Sequence, residues 1–296
     1  MRKAFASAII QLAKNPNNFF LSGDLGFMAL EDVRSAFGNR FLNAGVSEQN
    51  MIGVASGLAK EGFTVYAYSI APFIYARPYE QIRNDLCMPG LPVCLVGNGG
   101  GYAYGHMGPT HHALEDCAAM LALGVQVVVP AFDEDLPAVV TNVNSPVYLR
   151  LGYDAKPQGF TVSEFAPWRK ILTGAKGNLV ALGPLAGVAA QALIDLACEA
   201  RPNIWAVSKF SDNMVPVSFL HDVLDKNLYV IEEHRAAGGL GMTLASQLFQ
   251  KNVFPKRYFH RFAIGYPTGT YGSQAFHRKQ CGLDSESIKN LVLNNS

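Results

Sequence analysis

Apolar positions in the first half of the chain alternate between two periods. Met51, Val54, Ala55 and Leu58 recur at helical spacing, while 19–21, 41–43, 64–68, 93–96, 125–129 and 147–150 are short runs of strand length. Helices are predicted between them at about 3–14, from Glu48 onward, and at about 77–86, 112–123 and 135–143. Apolar strands separated by helices predict a parallel, doubly wound α/β sheet. Binding loops of such a sheet lie at the carboxyl ends of its strands. The rhythm breaks where Pro157, Gly159 and Pro167 sit among polar residues. It resumes with strands at 179–182, 204–207 and 228–231 and helices at 187–200, 238–249 and 285–293. The chain therefore reads as an α/β unit over 1–155, a linker over 156–172 and a smaller α/β unit over 173–296.

Composition supports two such units. The chain has 296 residues, of which 49% are hydrophobic and 16% charged, ample for a large core and suggestive of a surface partly covered by another chain. A net charge of +1 without a basic run argues against nucleic acid and acidic membranes as partners. The apolar N-terminal stretch is broken by Gln11 and Lys14, which favours an amphipathic helix over a signal peptide. No apolar run reaches membrane-spanning length. Five scattered cysteines without a CxxC pair predict reduced thiols and a cytoplasmic protein.

Candidate chemistry concentrates in three places. The run 43–59 delivers one carboxylate, Glu48, onto the first turn of a helix rich in small residues, with Ser47 as its expected N-cap. The alternative for Glu48 is an ordinary first-turn acid favoured by the helix dipole. The stretch 97–112 is too glycine-rich for a plain connection and ends in Gly-Pro-Thr-His-His, yet no Gly-Lys-Ser/Thr makes it a phosphate loop. Segment 68–77 places Phe73, Tyr75 and Arg77 after a strand, where core filling is the competing reading of the aromatics.

The wording of the Glu48 run, from Gly45 through Met51 to Gly57-Leu58-Ala59, resembles the pyrimidine-binding segment of the transketolase family of thiamine diphosphate enzymes. Gly108-Pro109-Thr110-His111 matches the family's G-P-T-H motif. The resemblance is strong over 22–150 and looser over 175–295, where Glu232 to Gly241 match best. It implies that Glu48 hydrogen-bonds N1′ of the cofactor's aminopyrimidine, a task for a partly desolvated carboxyl that shares its proton with a weak base. It further implies that Phe73 stacks on the pyrimidine beside Tyr75 and Arg77, and that Asp24 lies near the thiazolium, with an Asx-turn as the equal alternative. His111, with His106 as the weaker candidate, would meet the substrate, and His112 is structural. Arg2 and Arg150 would bind an anionic group of it. Glu232, Glu233 and His234 read as interfacial.

Departures from the family pattern matter as much. Met107 stands where an acid usually precedes the Gly-Pro-Thr-His, and an upstream histidine is replaced near Gly99, so the resemblance implies an unusual substrate such as a modified or nucleotide-linked sugar. No Gly-Asp-Gly diphosphate motif occurs in the chain. Hard Mg²⁺ needs oxygen ligands that are not recognisable here. The expectation is therefore a C-terminal transketolase subunit that lacks metal ligands of its own. It would pair with an N-terminal subunit carrying the diphosphate-binding domain, as an α2β2 heterotetramer acting on sugars or sugar phosphates by two-carbon ketol transfer. The β subunit of a 2-oxoacid dehydrogenase, a deoxyxylulose-phosphate-synthase-like enzyme and a non-catalytic partner subunit are the alternatives.

Overall fold

The computed structural model describes residues 1–26, 28–210, 215–266 and 268–295. Two sheets organise it. The first contains β1 (Asn18–Ser22), β2 (Phe41–Asn43), β3 (Thr64–Ile70), β4 (Val93–Asn98), β5 (Gln126–Val128) and β6 (Val147–Leu151), all parallel, in the order β2-β1-β3-β4-β6-β5. β4 and β6 are buried along their whole length, as expected of central strands covered on both faces. The helices around this sheet are α1 (Arg2–Leu12), α2 (Glu31–Phe37), α3 (Glu48–Lys60), α4 (Ala71–Ala76), α5 (Tyr79–Gln81), α6 (Asp116–Ala122) and α7 (Leu136–Val140).

The second sheet holds β7 (Trp168–Leu172), β8 (Asn178–Leu182), β9 (Asn203–Val207), β10 (Asn227–Glu232) and β11 (Arg257–Phe262), in the order β11-β10-β8-β9-β7. Its strands are parallel except β7, which runs antiparallel to β9. With it go α8 (Leu185–Leu193), α9 (Val217–Val223), α10 (Leu240–Gln250), α11 (Gln274–Gln280) and α12 (Ser285–Leu293). β7 occupies the end of the segment expected to be a linker: Pro167 delays the strand, and Trp168 and Arg169 then bury themselves, Trp168 in the shared core and Arg169 against Asp135 at the start of α7.

One apolar cluster runs through both units. It joins Met51, Ala55 and Ile74 of the first to Cys117 and Met120 of α6, and these to Val180, Trp205, Leu240 and Leu244 of the second. The two sheets thus share a continuous core, so the loops at the carboxyl ends of the first sheet are held partly by the second unit.

Candidate active site

The strand order reverses direction between β1 and β3, because the chain goes outward from β1 to β2 and then returns to the other side through β3. A crevice at such a switch point is where doubly wound sheets bind ligands. Glu48 sits over it. The first residue of α3, it is only 3% exposed, and its Oε1 accepts a hydrogen bond of 3.2 Å from Ser69 Oγ at the end of β3. Gly23, just past β1, lies directly beside it, since a Cβ built there would stand 3.7 Å from Oε1. Ser47 occupies the N-cap position, but its side chain makes no capping bond, and Val54 faces outward while Ile52 fills the core.

Segment 71–76 is helical, beginning six residues earlier than the expected helix, because Pro72 suits the first turn. Helical spacing then sorts its side chains. Phe73 and Arg77, four apart, share one face: the Arg77 guanidinium carbon lies 3.7 Å from the Phe73 ring centroid. Nη1 of Arg77 stands 2.9 Å from both Oε1 and Oε2 of Glu48. Tyr75 turns the opposite way into the core and donates to Glu115 Oε1 at 2.8 Å. Burial and that acceptor push its hydroxyl pKa well above the ordinary range. Tyr75 therefore packs into the core, away from the face that Phe73 and Arg77 share. Val46, Ser47, Glu48, Gln49 and Arg77 line a concavity of about 510 Å³.

The remaining candidates fall into two groups. His111 meets the edge of Phe73 with ring centroids 5.2 Å apart, and Tyr104 continues the row at 6.5 Å from His111. Tyr104 accepts from Asn98 Nδ2 at 2.5 Å and borders a cavity of about 400 Å³ that Arg2 and Lys3 also line. Glu48, Arg77, Phe73, His111, Tyr104 and Arg2 thus form one continuous track. His106 and Met107 are exposed on a single 3₁₀ turn of the same loop. Asp24 is exposed in the left-handed region (φ 58°) and accepts from Asn43 Nδ2 at 2.7 Å, beside the β1 end of the crevice. Sequence reasoning misses Ser69, Asn98 and Tyr104. For Ser69, its place at a strand end opposite the Glu48 helix is the signal that could have found it.

Arg150 does not reach this track. Its Nε donates to Asp116 Oδ2 at 2.7 Å, and its Nη2 donates to the carbonyls of Ala113 and Glu233 at 2.7 and 2.9 Å. Burial disfavours the charged guanidinium, but Asp116 and its other anionic neighbours outweigh it and the pKa stays raised. A side chain at Gly100 would collide with Arg150, so the loop lies over the guanidinium and covers it. Arg150 is buried and clamps the two units together through these acceptors.

The glycine loop is likewise shaped from within. Glu233 Oε1 accepts the Tyr102 N–H at 2.7 Å and Gln274 Nε2 at 2.8 Å, and its other oxygen binds Arg278. A Cβ at Gly101 would strike Glu233, and one at Gly105 would strike the Gly272 carbonyl. These glycines admit the second unit of the same chain rather than a ligand. Glu232, by contrast, caps α10 through the N–H groups of Leu240 and Gly241.

Two buried imidazoles complete this clasp. His112 stacks on Tyr266 and contacts its hydroxyl at 2.6 Å, while His277 stacks on Tyr102. Burial lowers the pKa of both below their ordinary 6.5. A base whose folded pKa is lowered contributes fully above its unfolded pKa and loses that contribution as pH falls from there through the lowered folded pKa. Amide protection of residues 99–112, corrected for intrinsic exchange, should therefore drop between about pH 7 and pH 5. Protection that is independent of pH would contradict this.

The residues present suit the pyrimidine end of thiamine diphosphate. Glu48 is a nearly buried carboxylate at the rim of an open concavity, with an aromatic face beside it and a half-exposed arginine as its salt-bridge partner. They do not suit the diphosphate and its metal. Among the described residues, one group of three metal-capable side chains converges: Asp116, Cys117 and His234, all buried. A thiol, an imidazole and a carboxylate already paired with Arg150 are not the oxygen set that Mg²⁺ requires.

The transketolase pyrimidine-binding domain matches residues 1–155, and the chain belongs to the transketolase family. It is 30% identical over 269 residues to an apulose-4-phosphate transketolase subunit of Actinobacillus succinogenes, covering 87% of this chain and 85% of the relative. It is also 30% identical over 312 residues to a transketolase C-terminal section of Methanocaldococcus jannaschii, covering 99% and 95%. A split-gene transketolase solved as an inactive beta4 tetramer superposes with a TM-score of 0.81 at 27% identity, covering 99% and 96%. Within the family, the chain thus corresponds to the C-terminal subunit of a split transketolase, a thiamine diphosphate-type enzyme subunit that works with a partner. No helix among the described residues is long and apolar enough to cross a membrane.

Proposed function

We propose that this chain supplies the pyrimidine half of a two-chain transketolase that moves a two-carbon ketol unit from a ketose to an aldehyde. The observation that carries the reading is Glu48, buried over the switch point of the first sheet yet facing a concavity. Thiamine diphosphate, when bound, supplies the carbanion chemistry of such a transfer. Glu48 would hold and exchange a proton at the pyrimidine nitrogen, with Ser69 fixing its orientation. Phe73 would present a flat apolar face, and His111 would hydrogen-bond substrate oxygens. Arg2 and Lys3, at the far end of the track, would take an anionic group. That favours a phosphorylated sugar, of the kind named for the Actinobacillus succinogenes relative. Exposed Met107 leaves room beside the substrate rather than a charge. The proposed division is 1–155, a linker over 156–172 and a C-terminal domain over 173–296; the gap between β6, ending at Leu151, and β8, beginning at Asn178, supports it, although β7 falls at the linker's end. The reduced cysteines favour the cytoplasm.

The partner reading rests on α3. Gly53 and Gly57 are exposed in mid-helix, and a Cβ built on either meets nothing within 4 Å. Each costs about 0.5–1 kcal/mol relative to Ala, and no close approach among the described residues requires them. Together with exposed Val46 and Val54 they form a low face next to Glu48, suited to a helix of the diphosphate-binding subunit in an α2β2 assembly. That partner would bring Mg²⁺ and its ligands. Gly53→Ala and Gly57→Ala should each stabilise the isolated chain by about 0.5–1 kcal/mol in urea denaturation, while Gly57→Phe should abolish co-purification with the partner. Normal pairing of Gly57→Phe would remove α3 from the interface.

Turnover tests the activity itself. Mixing this chain with a partner containing Gly-Asp-Gly should transfer a two-carbon unit from ketose phosphates to aldehydes, and neither chain alone should. Decarboxylation of a 2-oxoacid instead would favour the dehydrogenase reading.

A further inference from the structure

We propose that Arg77 occupies the seat of the cofactor's aminopyrimidine in the unloaded subunit and competes with it for Glu48 and Phe73. This rests on the reading of Glu48 given above. A guanidinium is a flat, delocalised cation whose N–H groups lie in its plane. Here it stacks 3.7 Å from the centroid of Phe73 and directs Nη1 at both oxygens of Glu48, at 2.9 Å each. Those are the two interactions, a stack on Phe73 and an N–H bonded to Glu48, that an aminopyrimidine bound here would make. A carboxylate can accept several hydrogen bonds, but the face of Phe73 and the space between it and Glu48 hold only one flat group at a time.

Local structure allows the exchange. Arg77 follows the last residue of α4, four positions after Phe73, so the two side chains meet without strain. Its backbone carbonyl is held by Gln49 Nε2 at 3.3 Å, while the side chain remains 41% exposed beside the concavity. The guanidinium can therefore swing outward without opening the core. While it stays, the buried charge of Glu48 keeps a partner, which an unloaded subunit otherwise lacks. Loading then needs a ligand that restores both contacts, and a chain carrying only the pyrimidine half is kept from binding loosely on its own.

If the guanidinium holds the seat about 90% of the time, it weakens the apparent cofactor affinity about tenfold. Titration calorimetry of thiamine diphosphate with Mg²⁺ into the reconstituted two-chain complex tests this. Arg77→Ala should bind about tenfold more tightly than wild type, and Arg77→Lys, which keeps charge but not the planar stack, should fall between them. Circular dichroism of each unloaded variant checks folding, and Arg77→Met replaces Arg77→Ala if the latter unfolds. Equal or weaker binding by the folded variants would overturn the competition. Glu48→Ala in the same titration separates the two claims. If it binds as tightly as wild type, the reading of Glu48 fails and the competition fails with it. If it abolishes binding while Arg77→Ala is not tighter, only the competition fails.

Discussion

Glu48→Gln in the assembled two-chain complex should lower kcat by roughly 10²–10⁴-fold, the usual worth of a positioned acid–base group. The amide keeps the shape of the carboxyl and can still accept from Ser69, but it cannot take up and return a proton. Because Glu48 is buried and paired with Arg77, the change also removes one charge-assisted contact, costing about 1–3 kcal/mol of stability. The loss of turnover should greatly exceed what this modest destabilisation explains. Steady-state kinetics beside a urea melt separate the two effects, and near-normal turnover would remove Glu48 from the chemistry.

The second large effect concerns stability. Arg150→Met should destabilise the isolated chain by about 3–5 kcal/mol, because Asp116 is then left as a buried charge without its cation. The neighbourhood is unforgiving: Asp116 Oδ1 has no hydrogen-bond partner among the described residues, and the guanidinium also satisfies the carbonyls of Ala113 and Glu233. Both units should loosen together, since the clamp spans them. A substrate-binding Arg150 would instead raise KM and leave the urea midpoint unmoved, so the two measurements distinguish the roles.

The contrast between Glu48 and Arg150 explains what could be read from sequence. The place of Glu48 on the first turn of α3 was legible because its setting is local: a strand, a glycine turn and the first turn of a helix are consecutive in the chain. So were the central strands, whose uninterrupted apolar runs have one reading in a doubly wound sheet. The contacts of Arg150 were not legible because its partners, Asp116 and the Glu233 carbonyl, lie 34 and 83 positions away. The direction of Tyr75 was hidden for a different reason. With the helix expected only from about residue 77, the helical spacing that sends Phe73 and Arg77 one way and Tyr75 the other was not applied to 71–76. The strands β7 and β11 escaped notice because both are sheet edges, where polar and charged residues replace the apolar run; Arg257–Phe262 alternates arginine, histidine and aromatics. The glycines of 97–108 suggested a ligand, yet Gly101 and Gly105 answer to Glu233 and Gly272 in the second unit. No pattern in the loop itself carries that information.

A cofactor site completed by two chains is the centre of this account, and equilibrium dialysis of thiamine diphosphate with Mg²⁺ tests it most directly. The mixture of this chain with its Gly-Asp-Gly partner should retain the cofactor, this chain alone should retain little, and replacing Glu48 by Ala should abolish retention by the mixture. Tight retention by this chain alone, or by the Glu48→Ala mixture, would contradict it.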